Sequence, residues 1–212
     1  MMMDEIKRIH LLLKEDIQKR LDEFRSMKNE GDEKIFAEMV FCLLTPQSKA
    51  KLCWHAVENL LNKNLLLKGD TKQIVEELKG VRFKYKKAEY VIKAKNLFAE
   101  NDKISIHSRI EQFRDAEEAR KWLVKNVKGM GYKEASHFLR NIGWGENLAI
   151  LDRHILKNLS LLGVIQKVPD NLSKKKYMEI EKKMKKFAEK IGIKMSHLDL
   201  VLWYKETGEI FK

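Results

Sequence analysis

At 212 residues the chain can build one substantial core or two small lobes, and it needs no covalent or metal staples. Hydrophobic residues at 44% and charged residues at 35% describe a soluble globular protein, and the short apolar runs give no expectation of a signal peptide or membrane span. Lysine and arginine number 43 against 31 acidic residues; this formal charge of +12 is an imbalance that favours a polyanionic partner over a merely charge-rich surface.

Residues 4–27 read as a helix with Ile6, Ile9, Leu13, Ile17, Leu21 and Phe24 along one face. The segment Lys28–Asp32 breaks it, and Glu33–Leu44 forms a second helix, apolar at Phe36, Met39, Val40, Leu43 and Leu44. Thr45-Pro46-Gln47-Ser48 interrupts the pattern, because proline disfavours helix in the residue before it. Helix resumes at Gln47 or Ser48 and runs to about Leu61. Asp70 or Thr71 caps a short helix ending at Leu78. Gly80–Lys87 mixes aromatics with cations and leads into a helix ending near Glu100, with Tyr85, Ala88, Val91 and Ile92 as a core stripe. Asn101–Ser108 reads as a polar connection.

The next stretch organises the chain. AEEARKWLVKN is an amphipathic helix with Ala119, Leu123 and Val127 in register. Gly129 and Gly131 let the backbone turn sharply, and a second helix, KEASHFLRNIG, closes at Gly143 where a left-handed cap is expected. Helix, tight Gly-x-Gly hairpin, helix is a grip for a DNA backbone: the amides of the hairpin and of the second helix's start point outward and bind phosphate. Asp152 in LAILDRHIL takes the N-cap of a helix to Leu162. After a turn through Gly163 and Pro169, Ser173–Ile191 is an amphipathic helix with a lysine-rich outer face. Ser196–Tyr204 is the last helix and GEIFK the tail. With no strand alternation competing, the expected class is all-α.

VKGMGYKEA, followed downstream by Asp152, resembles the helix-hairpin-helix, Gly/Pro-rich-loop, Asp superfamily of DNA glycosylases. The longer string GYKEASHFLRNIG…LAILDRHIL, with LDLVLWY and a terminal lysine, is similar to the compact prokaryotic 8-oxoguanine DNA glycosylase/AP lyases. The likeness runs over most of the chain and is densest from Glu118 to Lys157. Only two cysteines, Cys42 and Cys53, are present, which excludes a four-cysteine metal site within this chain and argues against the iron–sulfur branch of the superfamily. They also imply an intracellular protein without a disulfide framework.

The resemblance implies two helical lobes with a cleft between them and the hairpin at its mouth. One would be a central lobe of residues 31–133, the other residues 1–30 with 134–212. It further implies a monomer in a prokaryotic cytoplasm, associated with the nucleoid, acting in base excision repair on double-stranded DNA that contains 8-oxoguanine. No cofactor is required. A structural monovalent or divalent cation would be held by main-chain carbonyls of Lys125, Val127 and Met130.

The chemistry dictates which residues matter. A glycosylase extrudes its target nucleotide, and C1′ gains oxocarbenium character as the base leaves. That charge calls for a nucleophile and a stabilising anion. Lys133 matches the family's catalytic lysine and Asp152 its aspartate. Lysine must attack as a neutral amine, forming a Schiff base that permits β-elimination. Lys133 falls in the first turn of its helix, where the macrodipole disfavours an ammonium.

For the base pocket the candidates are Phe83, His137, Trp203 and Lys212. Trp203 is the stacking plate, and the terminal Lys212 offers an ammonium donor near an α-carboxylate acceptor. For DNA contacts they are Lys128, Gly129, Met130 and Gly131 in the hairpin, with Arg82, Lys86 and Lys87 on phosphates. The resemblance implies that Gln47 is the wedge that fills the gap left by the extruded base, where the residues alone also read as a plain inter-helix turn. Lys51 is either a contact to the opposite strand or its orphaned base, or a solvated lysine. Two other readings stay open: a glycosylase of this fold for another damaged or mismatched base, and a non-catalytic helix-hairpin-helix DNA-binding protein.

Overall fold

The computed structural model describes residues 2–101 and 103–212. Among the described residues it consists of twelve α-helices, one 3-10 turn (Met27–Asn29) and one two-stranded ribbon. In the first half, α1 (Met2–Ser26), α2 (Asp32–Leu44), α3 (Ala50–Asn62), α4 (Leu65–Lys68), α5 (Thr71–Glu77) and α6 (Lys84–Phe98) follow one another. The antiparallel ribbon of β1 (Ala99–Glu100) and β2 (Lys103–Ile104) leads to α7 (His107–Glu111). The second half holds α8 (Ala116–Asn126), α9 (Tyr132–Asn141), α10 (Arg153–Leu161), α11 (Lys174–Ile191) and α12 (Met195–Thr207).

Local chemistry sets most of the boundaries. Asp70 closes a capping box on α5: its carboxylate accepts from the Gln73 amide at 2.8 Å, and Gln73 Oε1 accepts from the Asp70 amide at 2.9 Å. Asp115 caps α8 by accepting from the Glu118 amide at 2.9 Å. Gly192 and Gly208 end α11 and α12 in the left-handed region.

Two hydrophobic clusters form. The first surrounds α2, whose residues from Ile35 to Leu44 are all buried, as expected of a helix that is apolar all round. It takes in α3, α5, α6 and α8 and extends through Ala135, Phe138, Leu139, Ile142 and Leu148. The second joins Ile6, Ile17, Leu21 and Phe24 of α1 to α10, α11 and α12. α9 touches α2, α8 and α1 and so stands between the clusters. Gly143, with φ of +73°, follows it so closely under α1 that an added Cβ would lie 2.8 Å from the Phe24 carbonyl oxygen.

Three local expectations are corrected. α3 begins at Ala50, because Gln47 has φ of +56° and Lys49 is extended, so neither belongs to the helix. The segment 101–108, read as a polar connection, contributes β2 and the start of α7. Tyr85, read as core, is 68% exposed with the Lys84 ammonium 5.2 Å from its ring centre, since α6 turns that first-turn position outward.

Candidate active site

The hairpin between α8 and α9 is built on Val127 and Met130, both buried, with the Met130 amide donating to the Val127 carbonyl at 3.2 Å. Lys125, Lys128 and Gly129 are exposed. Gly129 has φ of +88°, and a Cβ there would meet Tyr90 Cδ2 of α6 at 2.2 Å, so only glycine fits the turn against that ring. Gly131 is the N-cap of α9, where its amide donates to Glu134 Oε2 at 3.1 Å.

Lys133 follows in the first turn. Its half-buried ammonium lies 3.3 Å from Glu134 Oε1 and 3.4 Å from Thr45 Oγ1. Asp152 is the N-cap of α10, its Oδ1 accepting from the His154 and Ile155 amides at 2.8 Å each. Buried polar side chains connect the two regions. Arg140 of α9, with its guanidinium 4.5 Å over the Phe24 ring, lies 3.8 Å from Asp199 of α12. Burial pushes the Asp199 carboxyl up to about 6; Arg140 opposes the rise and the negative charge of Asp152 adds to it.

His137, one turn beyond Lys133, is buried with its ring edge-on to Phe41 at 5.5 Å. Burial holds its pKa well below the ordinary histidine value, and the charges of Arg140 and Lys133 push the same way. Neither ring nitrogen has a partner at full hydrogen-bond geometry; the Lys212 backbone is the polar group facing them. The tail folds back onto this wall. Phe211 stands edge-on to Phe41 at 6.3 Å, and the Lys212 ammonium sits 3.7 Å over the Trp54 ring while pairing with the buried Glu38. The other Glu38 oxygen accepts from Asn141 Nδ2 at 2.9 Å. Lys133 and His137 therefore share α9 with Asn141, which reaches the Lys212 anchor through Glu38.

Glu38, Phe41, Trp54, Asn141 and Phe211 are not anticipated from the sequence. Periodicity marks Phe41 and Trp54 only as apolar helix positions, and Glu38 only as a polar interruption of an apolar helix. That interruption is the one signal that was available.

Other candidates lie elsewhere. Trp203 is edge-on at 5.4 Å to His154, which lies in the first turn of the helix that Asp152 caps. Phe83 is 56% exposed at the start of α6 with the Arg82 guanidinium 5.5 Å from its ring centre. Lys86 is exposed, 6.0 Å from the Tyr90 ring centre. Lys51 is tied to Glu209 of the tail at 2.7 Å. Gln47 is exposed at the tip of its loop. Lys87 corrects the sequence reading most sharply: it is 4% exposed, and its ammonium is spent on the 44–48 loop, so it offers nothing to a phosphate. Among the described residues no group of three or more His, Cys, Asp or Glu side chains is gathered as a metal site, and no helix is long and apolar enough to cross a membrane.

Comparison with known proteins decides the family. The model of the family described as 8-oxoguanine DNA glycosylase matches residues 17–193. The chain belongs to this family. An 8-oxoguanine DNA glycosylase/AP lyase of Fusobacterium nucleatum is 45% identical over 210 residues, covering 99% of this chain and 97% of that one. One from Methanocaldococcus jannaschii is 40% identical over 202 residues, covering 94% and 93%. The crystal structure of the M. jannaschii 8-oxoguanine glycosylase/lyase with a 15mer DNA containing 8-oxoguanine superposes with a TM-score of 0.88 at 38% identity, covering 100% of both chains. Membership in a glycosylase family confirms the all-α class and the superfamily read from the hairpin.

Proposed function

We propose that this chain excises 8-oxoguanine from double-stranded DNA and nicks the strand at the abasic site, with Lys133 as nucleophile and Asp152 as the stabilising carboxylate. The observation that carries the reading is the pairing of a half-buried lysine in the first turn after the hairpin with an N-cap aspartate one helix further on. Lys133 gives up a proton, for which Glu134 is the nearest carboxylate, and its nitrogen bonds to C1′ as the glycosidic bond breaks and the base leaves with that electron pair. Asp152 faces the developing positive charge. Opening of the sugar ring gives the Schiff base; loss of a proton from C2′ then expels the 3′ phosphate by cleavage of the C3′–O bond. This chemistry needs no cofactor.

The pocket in this reading is walled by His137, Phe41 and Trp54 and closed by Phe211 and Lys212, with Trp203 beside the Asp152 cap. The hairpin grips the backbone through Lys128, Gly129, Met130 and Gly131, aided by Arg82 and Lys86, while Gln47 is the wedge. Carbonyls of Lys125, Val127 and Met130 would hold a cation, which would supply positive charge at the hairpin; the Val127 oxygen, already accepting one amide, keeps a second lone pair for it. The lobes divide as 31–133 against 1–30 with 134–212. The two clusters support a discontinuous division of this kind, although α9 side chains pack with the first cluster. The protein works in the cytoplasm on nucleoid DNA.

Incubation with an 8-oxoguanine duplex and borohydride tests the proposal. A covalent protein–DNA adduct is expected from the native chain and none from Lys133→Gln, with duplex affinity retained. Adducts only with a different lesion would assign another base to the same chemistry. Failure to trap any lesion would leave a non-catalytic DNA-binding protein.

A further inference from the structure

We propose that Lys87 is a positioning residue that holds the Leu44–Ser48 loop, and with it Gln47, in the shape needed to replace an extruded base. The proposal rests on the reading of Gln47 as the wedge.

The loop is short and bent. Gln47 at its tip has φ of +56°, a left-handed conformation that a residue with a Cβ rarely keeps unless its surroundings impose it. What imposes it comes from α6. The Lys87 ammonium donates to the Leu44 carbonyl at 2.6 Å, the Pro46 carbonyl at 2.7 Å and Ser48 Oγ at 3.1 Å, which uses all three of its N–H groups. Ser48 Oγ also accepts from the Arg82 amide at 3.1 Å, and Cys53 Sγ donates to the Leu44 carbonyl at 3.2 Å. Residues on both sides of Gln47 are thus pinned to one buried cation.

All three acceptors are neutral. A buried charge without a carboxylate is a poor device for stability alone, since desolvation opposes it. It is a good device for shape, because it draws to one point two carbonyls that would otherwise repel. The same loop carries Thr45, whose hydroxyl touches the Lys133 ammonium, so the clamp also sets the wedge at a fixed distance from the nucleophile. Without the ammonium, Leu44 and Pro46 lose their shared donor and Gln47 relaxes out of the left-handed region.

The test uses the full chain with Lys87→Met, which keeps the length of the side chain and removes its donors. Single-turnover excision from an 8-oxoguanine duplex should fall about ten- to a hundredfold, the scale of an ångström-level misplacement. Excision from the same lesion in single-stranded DNA should be unchanged, because no gap there needs filling. Gln47→Ala should give the same duplex-specific loss, and the double variant should be no worse than the worse single one, as for two residues acting as a unit. The salt slope of binding to undamaged duplex should stay as in the native chain.

Three results would overturn the inference while leaving the wedge reading intact: normal duplex excision by Lys87→Met beside a slow Gln47→Ala, equal slowing on both substrates, or a salt slope reduced by about one, the mark of a lost phosphate contact. Normal duplex excision by Gln47→Ala would instead remove the wedge reading and this inference with it. If Lys87→Met does not fold, Ser48→Ala removes one acceptor and leaves the cation; it should still slow the duplex reaction selectively, and equal rates on both substrates would refute the clamp.

Discussion

Arg120 of α8 and Glu181 of α11 form a buried two-point ion pair, with guanidinium nitrogens 2.7 and 2.9 Å from the two carboxylate oxygens. The pair joins the helix that leads into the hairpin to the segment that precedes Asp152. Arg120 also donates to Ser136 of α9 at 3.1 Å, and Glu181 accepts from the Ala149 amide at 2.7 Å, three residues before Asp152. The Tyr177 hydroxyl completes the network by donating to the Ala149 carbonyl at 2.5 Å. Glu181→Gln should cost about 3–5 kcal/mol, the scale for stranding one charge of a buried pair, whereas Arg120→Met with Glu181→Leu should cost less. Urea denaturation of the single and double variants checks this; equal losses would mean the pair contributes favourable energy of its own.

Asp152 caps α10, and the proposed mechanism gives it a second role that substitution can separate from the first. Asparagine keeps an Oδ1 acceptor for the His154 and Ile155 amides, so Asp152→Asn should slow base release without lowering the melting temperature. Asp152→Ala should slow it as much and also lose about 1 kcal/mol of stability, the usual worth of an N-cap. Rates and melting curves on both variants decide; full excision by Asp152→Asn would reduce the residue to a cap.

Gly129 tests the grip. An alanine there takes on a left-handed strain of about 1–2 kcal/mol and must also displace Tyr90. Gly129→Ala should therefore weaken binding to undamaged duplex, read by fluorescence anisotropy. Undiminished affinity would move the DNA contact away from the hairpin.

His137 predicts an acid-side loss of stability. Its pKa in the folded chain is depressed, so between the ordinary histidine value of about 6.5 and that lower value the unfolded chain takes up a proton that the folded chain refuses. The stability is present above about 6.5 and is lost as pH falls. His10 and His197, also depressed by burial, act in the same direction. His137→Gln should therefore show a smaller drop in melting temperature from pH 7.5 to pH 5 than the native chain. An identical drop would assign the acid sensitivity to the other histidines.

The terminal residue is anchored by Glu38 and Trp54, so its removal should be felt in the pocket. Deleting Lys212 should lower 8-oxoguanine excision markedly while sparing Schiff-base formation on a pre-formed abasic site, which has no base to read. Unchanged excision would leave recognition to the ring walls alone.

The sequence by itself determined the helical class, the superfamily, the hairpin and the positions of Lys133 and Asp152, because each rests on local rules. Glycines turn the chain at 129 and 131, an aspartate caps α10, and a lysine follows the turn. Periodicity also separated the apolar faces of α1 and α11 from their solvated sides. It could not tell a cation that meets solvent from one that is spent inside. Lys51, Arg82, Lys86 and Lys87 look alike in the chain, yet only Lys87 is buried, because α6 packs against the end of α2 and its ammonium finds three acceptors from residues more than thirty positions earlier. Trp54 and Trp203 are equally apolar letters, and which one lies under Lys212 depends on where the tail lands. Glu38 becomes an anchor only when Asn141 and Lys212 arrive from distant parts of the chain. The contacts of Lys87 and of Lys212 are made by long-range packing, and tertiary structure alone decided them.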